Sequence, residues 1–380
     1  MRKLWAHLMN AKVSIVKCKD YEPARVLEQL KKALDSLGGV SAFIAPKSRV
    51  LVKPNLLMAK EPEFGIDTHP EVVRAVVKIL KGINCSIYLG DGPSVWGNQA
   101  ENTDEVYEKS GMKKICEEEG IELVEFEHKR WRKEFPLSTW LDKCDCVVSV
   151  PKFKTHELTI LTGAIKNLFG LVWKTYKTEL HKKYFDVNDF SKMLVDIYAE
   201  VKPALTVIDG VVAMEGDGPA TGGKLRNVGL LLAGYDCVAL DSILALIMGL
   251  EPLDILTTRE AAARGLGIAD IKSISVVGEK LEGVIAESFI LPSTSLMKKI
   301  PRPIIKIAKK LIKYYPCVEQ DNCIRCAACI QACPNKAITI KNDRLIFDYS
   351  KCISCFCCQE ACPHAAIKIK RNIWAKMAGL

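Results

Sequence analysis

The sequence predicts an α/β domain with a mostly parallel sheet covered by helices, followed by a small C-terminal α+β domain. Strand and helix patterns alternate through most of the 380-residue chain, as in sheets joined by helical crossovers. Several predicted strands are continuously apolar, which is typical of parallel strands buried on both faces. Cysteines concentrate near the C-terminus. We expect the α/β domain over residues 1–280, a linker over residues 281–315 and the small domain over residues 316–380.

The strands are predicted from alternating or continuously apolar runs. The first alternates over residues 12–17, and the second, at residues 49–52, runs into Lys53-Pro54-Asn55. Further strands are predicted at residues 86–89, 121–126, 146–150, 204–208 and 228–233. In an open parallel sheet, ligands bind beyond the carboxyl ends of the strands. We therefore expect a site in the loops that follow these strands.

The helices are predicted from apolar residues three and four positions apart. The first helical pattern covers residues 22–37 and stops at Gly38-Gly39, a common helix end. The second starts at residues 68–70, where Pro70 suits the first turn. Further helices are predicted at residues 103–119 and 236–248, and a last helix and strand between residues 253 and 277.

Two cysteine quartets near the C-terminus share the spacing C-x2-C-x2-C-x3-C, and proline follows each, at Pro334 and Pro363. This spacing is typical of proteins with two iron–sulfur clusters, in which the fourth cysteine of each quartet ligates the other cluster. We predict one [4Fe–4S] cluster on Cys323, Cys326, Cys329 and Cys362, and a second on Cys352, Cys355, Cys358 and Cys333. Zinc sites and disulfide frameworks are the alternatives, but zinc sites usually combine two distant cysteine pairs. Residues 316–370 resemble the bacterial-type two-cluster ferredoxin domain.

The formal net charge of +9 is unevenly distributed, with seven basic residues between residues 298 and 313. Apolar residues alternate with them at helical spacing, which predicts a basic amphipathic helix. The helix could pack on the main domain, dock an acidic electron donor or lie on an anionic membrane surface. No nucleic-acid-binding motif accompanies the charge. Neither a signal peptide nor a membrane-spanning run is evident, so we expect the cytoplasm of a cell that avoids oxygen.

The loops after the predicted strands are rich in lysines and carboxylates. Lysines and helix N-termini suit an anionic substrate, whereas carboxylates such as Asp209 suit a proton or a divalent metal. The alternatives are solvated surface lysines and carboxylates that only stabilise turns. No dinucleotide-binding or P-loop motif is present, which leaves a flavin open. The candidate catalytic residues are Lys53, Lys154, His156, Lys166, Glu215 and Asp217.

Five short blocks resemble an uncharacterised family, domain of unknown function 362. The blocks are residues 52–55 (VKPN), 151–156 (PKFKTH), 161–170 (LTGAIKNLFG), 208–210 (IDG) and 214–219 (MEGDGP). The resemblance covers about residues 48–250, and members often carry a C-terminal two-cluster ferredoxin domain. It implies an iron–sulfur protein without implying a particular reaction.

The leading hypothesis is an iron–sulfur oxidoreductase that passes low-potential electrons from two clusters to a small anionic substrate or a cofactor at the rim of the α/β domain, with a redox partner protein. A second hypothesis is an electron carrier or adaptor whose α/β domain only binds a partner. A third is a non-redox isomerase or racemase that uses His156 and a lysine, with structural or sensory clusters.

Overall fold

The structure, a computed structural model, describes residues 11–93, 103–295 and 314–372. The described residues contain one ten-stranded sheet. Its strands are β1 (Ala11–Lys17), β2 (Arg49–Pro54), β3 (Ser86–Leu89), β4 (Glu122–Leu123), β7 (Cys146–Val150), β8 (Lys152–His156), β9 (Ile160–Thr162), β10 (Leu205–Gly216), β11 (Gly223–Gly234) and β12 (Ile274–Gly278). The main path of the sheet runs β12-β1-β11-β10-β7-β2-β3-β4, while β8 pairs with β10 and β9 pairs with β8. A separate hairpin is formed by β5 (Lys129–Arg132) and β6 (Phe135–Ser138).

The described helices of the α/β domain follow the same chain order. They are α1 (Pro23–Ser36), α2 (Pro70–Lys81), α3 (Thr103–Lys109), α4 (Met112–Glu119), α5 (Trp140–Lys143), α6 (Ala164–Asn167), α7 (Tyr176–Lys183), α8 (Val187–Val201), α9 (Cys237–Ile247) and α10 (Leu256–Ala263). The long helices start with side-chain caps, as expected from unpaired N-terminal amides. Asp236, for example, accepts hydrogen bonds from Val238 N and Ala239 N at the start of α9.

Helices cover both faces of the sheet, because neighbouring side chains of one strand point to opposite faces. On β11, Leu230 and Leu232 belong to the core beneath α8 and α9. Leu231 and Ala233 belong to the other core, beneath α1 and α2. The predicted α/β fold with a mostly parallel sheet is thus confirmed, although β11 runs antiparallel to both β1 and β10.

Three predicted segments differ from the structure. Residues 103–119 form two helices rather than one, because Gly111 takes the left-handed φ of 77° between them. Residues 152–156 form strand β8 instead of a loop, and β8 pairs in parallel with β10. Strand β10 continues past the predicted end at residue 208 to Gly216, with an irregularity between Gly210 and Val212. Side chains expected on exposed loops therefore lie inside the sheet.

The C-terminal domain contains β13 (Tyr314–Val318), α11 (Ala328–Ala332), β14 (Ile338–Lys341), β15 (Arg344–Phe347), α12 (Cys357–Glu360) and β16 (Ile367–Arg371). β13 pairs with β16 and β14 with β15, both antiparallel. This small α+β arrangement confirms the predicted ferredoxin-type domain. The predicted basic amphipathic helix at residues 298–313 lies outside the described residues.

Across the described ranges, no helix combines the length and the apolar character needed to cross a membrane.

Candidate functional site

A pocket lies where the rim of the sheet meets the C-terminal domain. Its walls come from β8, α6, α7, α12 and the loops after β2 and β3. Its volume is about 60 Å³, and since one water needs roughly 10–15 Å³ in this measure, the pocket suits a group of a few atoms. The polar lining comprises Asn55, Asp91, Lys154, His156, Thr162, Lys166, Asn167, Lys177, His181 and Glu360.

Three lysines of the lining differ in how they are held. Lys154 Nζ donates to Ile66 O at 2.6 Å, and burial lowers the pKa of Lys154 to about 7. Lys177 Nζ donates to the carbonyls of Gly92 and Pro93, and burial lowers its pKa to about 8. Lys166 is half-buried and, among the described residues, donates to no protein acceptor.

Lys166, which has no hydrogen-bond acceptor, determines which kind of ligand suits the pocket. Burial lowers the pKa of Lys166, an effect that the neighbouring Glu360 opposes. Three lysines and two carboxylates line the pocket, so with neutral imidazoles the lining carries a net positive charge when all three lysines are protonated. An ammonium group that is partly removed from water and lacks an acceptor is costly. The pocket is therefore suited to a small anion that would accept a hydrogen bond from Lys166 Nζ.

His156 lies against Glu360 in the wall of the pocket. The imidazole Nδ1 accepts a hydrogen bond from Leu158 N at 3.0 Å, so the neutral ring carries its proton on Nε2. Nε2 lies 3.0 Å from Glu360 Oε1, but the two atoms are not aligned for a hydrogen bond, and both are buried without a partner. Burial, together with Lys166, lowers the pKa of His156 to about 4. The imidazole N–H on this wall of the pocket therefore lies directly beside a carboxylate oxygen.

Two buried ion pairs hold the strands around the pocket. Lys53 Nζ lies 2.7 Å from Asp91 Oδ1, with both side chains at most 1% exposed. Lys152 Nζ lies 2.9 Å from Asp209 Oδ2, and that carboxylate also accepts from Tyr21 OH and two backbone amides. Asp209 is therefore fully engaged in the fold. Among the described residues, no three Cys, His, Asp or Glu side chains converge as they would on a single metal ion.

Helix α6, which carries the TGAIKN block, is fixed from both ends. Asp241 accepts hydrogen bonds from Ala164 N and Ile165 N at its start, at 2.6 and 3.1 Å. At its end, Asn167 accepts from Lys53 Nζ and donates to Ser149 Oγ. These bonds tie α6 to β2 and β7. They explain how Lys166, between those two ends, is held at the pocket.

The six residues predicted as catalytic separate into two groups. Lys154, His156 and Lys166 line the pocket, and Lys53 lies behind it through its pair with Asp91. Glu215 and Asp217 do not line the pocket. Glu215 binds Arg226 Nη1 at 3.0 Å and Ile290 N at 3.1 Å. Asp217 accepts from Ser293 N and Oγ at 2.8 and 3.1 Å, so both carboxylates anchor the segment around residue 290.

The sequence-based reasoning missed Glu360, Lys177 and Asn167 as pocket residues. Asn167 lies in the quoted TGAIKN block, so its position beside Lys166 was a usable signal. Lys177 and Glu360 carry no sequence signal, because each reaches the pocket through the tertiary packing of its helix. Glu360 comes from α12 in the C-terminal domain and is 4% exposed.

The eight cysteines of the two quartets line two separate cavities. One cavity is lined by Cys323, Cys326, Cys329 and Cys362. The other is lined by Cys333, Cys352, Cys355 and Cys358. Each cavity thus takes three cysteines from one quartet and the last cysteine from the other. Four thiols around one cavity are the donor set that a [4Fe–4S] cluster requires.

The two cysteine loops have the same local geometry. Arg325 and Ala327 of the first loop have φ of 61° and 64°, and the equivalent Ser354 and Phe356 have φ of 54° and 60°. Such left-handed residues are uncommon outside glycine, and they turn the loop around its cavity. The last cysteines also match, because Cys333 Sγ accepts from Ala337 N and Cys362 Sγ accepts from Ala366 N. Backbone hydrogen bonds to sulfur are one way in which proteins tune cluster potentials.

Direct hydrogen bonds join the C-terminal domain to the MEGDGP loop. Thr221 Oγ1 donates to Cys362 O at 2.7 Å and accepts from Ala365 N at 3.1 Å. Gln359 Nε2 donates to Asp217 O at 2.7 Å. Gln359 is 2% exposed, so this contact is buried. The loop after β10 therefore holds the cysteine-bearing helix against the rim of the sheet.

Comparison with protein families decides the identity of the large domain. The family described as "Domain of unknown function (DUF362)" matches residues 50–245, about half of the chain. This chain belongs to the DUF362 family. A 4Fe-4S dicluster domain matches residues 322–366, so the resemblance of both segments is confirmed. The C-terminal domain is an iron–sulfur cluster-binding domain.

A curated relative of this DUF362 protein is the "Thylakoid-associated protein sll1697" of Synechocystis sp. (strain ATCC 27184 / PCC 6803 / Kazusa). The two are 34% identical over 267 residues, which is 68% of this chain and 81% of the relative. Among solved structures, the lactate racemase apoprotein from Thermoanaerobacterium thermosaccharolyticum aligns with a TM-score of 0.37 and 12% identity. That alignment covers 60% of this chain and 55% of the racemase chain. A score this low is not evidence of a shared fold or activity.

Proposed function

We propose that this protein is an iron–sulfur oxidoreductase in which a small anion binds in the pocket and exchanges electrons with the C-terminal domain. The observation that carries the proposal is the placement of α12. This helix contributes Glu360 to the pocket and Cys358 to a cysteine cavity. The binding site and the cluster site thus share one turn of helix.

We assign two [4Fe–4S] clusters to the two cysteine cavities. Cys323, Cys326, Cys329 and Cys362 would hold the first, and Cys333, Cys352, Cys355 and Cys358 the second. The lining of the two cavities and the paired backbone bonds to Cys333 and Cys362 support this assignment. When bound, such clusters supply single electrons, in many proteins at low potential.

Three side chains of the pocket would act on the anion. Lys166 Nζ would donate to it, since a charge-assisted hydrogen bond contributes about 1.5–3 kcal/mol. His156 Nε2–H would donate a hydrogen bond to the anion without releasing its proton, and the neighbouring Glu360 carboxylate would help to keep Lys166 protonated. Lys154 would add positive charge to the pocket.

The proposal also covers the cellular location of the protein and its redox partner. We place the protein in a reducing cytoplasm, where its free cysteines and clusters would persist. We also propose that a redox partner protein exchanges electrons with the clusters. No nucleic acid takes part in this proposal.

The experiment starts with anaerobic purification of the full chain. Iron and sulfide analysis should give about eight of each per chain. The reduced protein is then mixed with small anions that can accept electrons, such as 2-oxo acids and nitrite, with inorganic phosphate as an anion that cannot, and recovery of the visible absorption of the oxidised clusters is followed by stopped flow. At least one anion should accelerate this recovery.

The pocket is tested with Lys166→Met and a matched control, Lys174→Met. Lys174 is exposed and close in sequence, but it does not line the pocket. Because the hydrogen bond is lost, Lys166→Met should need an anion concentration about 10 to 150 times higher for half of the maximal acceleration. Lys174→Met should need the same concentration as the wild type. Equal behaviour of Lys166→Met and the wild type would remove this pocket from the function.

A further inference from the structure

An open groove of about 430 Å³ lies on the surface of the C-terminal domain, away from the anion pocket. Three lysines stand along it. Lys182 comes from α7 of the DUF362 domain, whereas Lys336 and Lys351 come from the C-terminal domain. The groove therefore spans the boundary between the two domains. No residue of this groove belongs to the pocket proposed for the anion.

The groove and one cysteine cavity are adjacent and share lining residues. Pro334, Asn335, Cys352 and Ile353 line both the groove and the cavity of Cys333, Cys352, Cys355 and Cys358. Cys352 is thus both a predicted cluster ligand and part of the groove floor. A molecule seated in the groove would contact the immediate surroundings of that cluster.

The charge of the groove is largely uncompensated. Lys182 and Lys336 are exposed and have no ion-pair partner among the described residues. Lys351 is exposed and pairs with Asp348 at 3.0 Å, an exposed contact that contributes little. Half-buried Ile353 gives the floor an apolar centre between these charges. An apolar contact ringed by lysines at a redox centre suits a protein partner with a complementary acidic surface.

We propose that this lysine groove docks an acidic electron-carrier protein and is where electrons enter or leave the second cluster. The transfer is of one electron: the carrier's cofactor loses it, the cluster gains it, and no bond or proton moves. The groove is concave and local, which fits a protein protrusion better than a flat lipid surface. Electron-transfer complexes have small interfaces, under roughly 1,200 Å², and depend on electrostatic steering. The inference rests on the proposed function only in requiring a cluster on Cys333, Cys352, Cys355 and Cys358.

The test uses the full chain, purified anaerobically, and two reductants. Reduced flavodoxin is the acidic protein probe, and the methyl viologen radical is the small cationic probe that needs no docking site. The test variant is Lys182→Glu/Lys336→Glu/Lys351→Glu. The control variant carries the same charge change at the exposed Lys31, Lys32 and Lys272, on α1 and before β12. Cluster reduction is followed by stopped-flow absorbance at low and high salt.

The expected result is a second-order rate with flavodoxin that falls on the order of tenfold or more in the groove variant at low salt. The difference should shrink at high salt, as screened charges require. The control variant should stay within about twofold of the wild type by the same reasoning, and reduction by methyl viologen should be equal in all three proteins.

Three results would overturn the inference. An unchanged flavodoxin rate in the groove variant is one, and an equal fall in the control variant is another, because only total charge would then matter. The third is loss of binding to phosphatidylserine vesicles with an unchanged flavodoxin rate, which would make the groove a membrane contact. Absence of iron and sulfide from the anaerobically purified protein would instead contradict the cluster assignment itself.

Discussion

The buried ion pair between Lys152 and Asp209 allows the magnitude of a substitution to be worked from the structure. The two side chains are 1% and 0% exposed. Asp209→Asn keeps the size of the side chain but leaves the Lys152 ammonium buried without a counter-charge. Removing one partner of a buried pair costs about 3–5 kcal/mol. We therefore expect the free energy of unfolding of Asp209→Asn to fall by about 3–5 kcal/mol.

The assay is urea unfolding of the anaerobic protein, followed by far-ultraviolet circular dichroism. The control is Asp145→Asn, which breaks an ion pair with Arg49 whose side chains are 46% and 53% exposed. Exposed pairs contribute about 0–1 kcal/mol, so this variant should unfold almost as the wild type does. Lys152→Met/Asp209→Leu, which removes both charges, should lose less than Asp209→Asn alone. A loss for Asp209→Asn as small as that for Asp145→Asn would refute the reasoning.

Three further predictions concern the pocket and its attachment. Burial lowers the pKa of His156 to about 4, below the usual value of about 6.5. Between these two pH values the unfolded chain binds more protons than the folded chain does. The free energy of unfolding therefore falls as the pH drops through this range. In His156→Gln the urea midpoint should differ less between about pH 7.5 and pH 5.5 than it does in the wild type. The same difference in both proteins would contradict the assigned role of His156. Gly170→Ala would place a Cβ against Asp91 Oδ1 and should abolish anion-dependent reoxidation, whereas Gly283→Ala meets nothing within 4 Å and should behave as the wild type. Thr221→Val removes the hydrogen bonds from Thr221 to the C-terminal domain. The rate of amide hydrogen exchange at residues 359–366 should rise on the order of tenfold, because such a bond contributes about 1 kcal/mol or more. An unchanged exchange rate would show that these bonds do not hold the domain.

Much of the fold could be predicted because local patterns decide it. The apolar period of α1 and the proline at the start of α2 gave nearly the observed bounds. β8 was missed because its lysines read as a surface loop, yet their ammonium groups are buried and paired by residues far away in the chain. The length of β10 was missed for a similar reason, since Asp209 and Gly210 resemble a turn. In the structure they sit within a strand paired to β11.

The candidate site was predictable only in part. Cysteine spacing determines which thiols can surround one cavity, so the pairing of the quartets followed from local sequence. The positions of Lys154, His156 and Lys166 followed from the rule that sites lie beyond strand ends. Glu360 could not be found in this way, because its meeting with His156 depends on how two domains pack. The carboxylates Glu215 and Asp217 look like site residues in sequence, but backbone amides around residue 290 occupy them.

The central claim is that a small anion binds beside the clusters, held by Lys166. The most direct measurement is the 13C NMR linewidth of labelled acetate added to the reduced, paramagnetic protein under anaerobic conditions. We expect selective broadening in the reduced wild type, loss of that broadening in Lys166→Met, and much less broadening in the oxidised protein, whose clusters have a diamagnetic ground state. Equal broadening in Lys166→Met and the wild type, or no broadening in the reduced wild type, would contradict it.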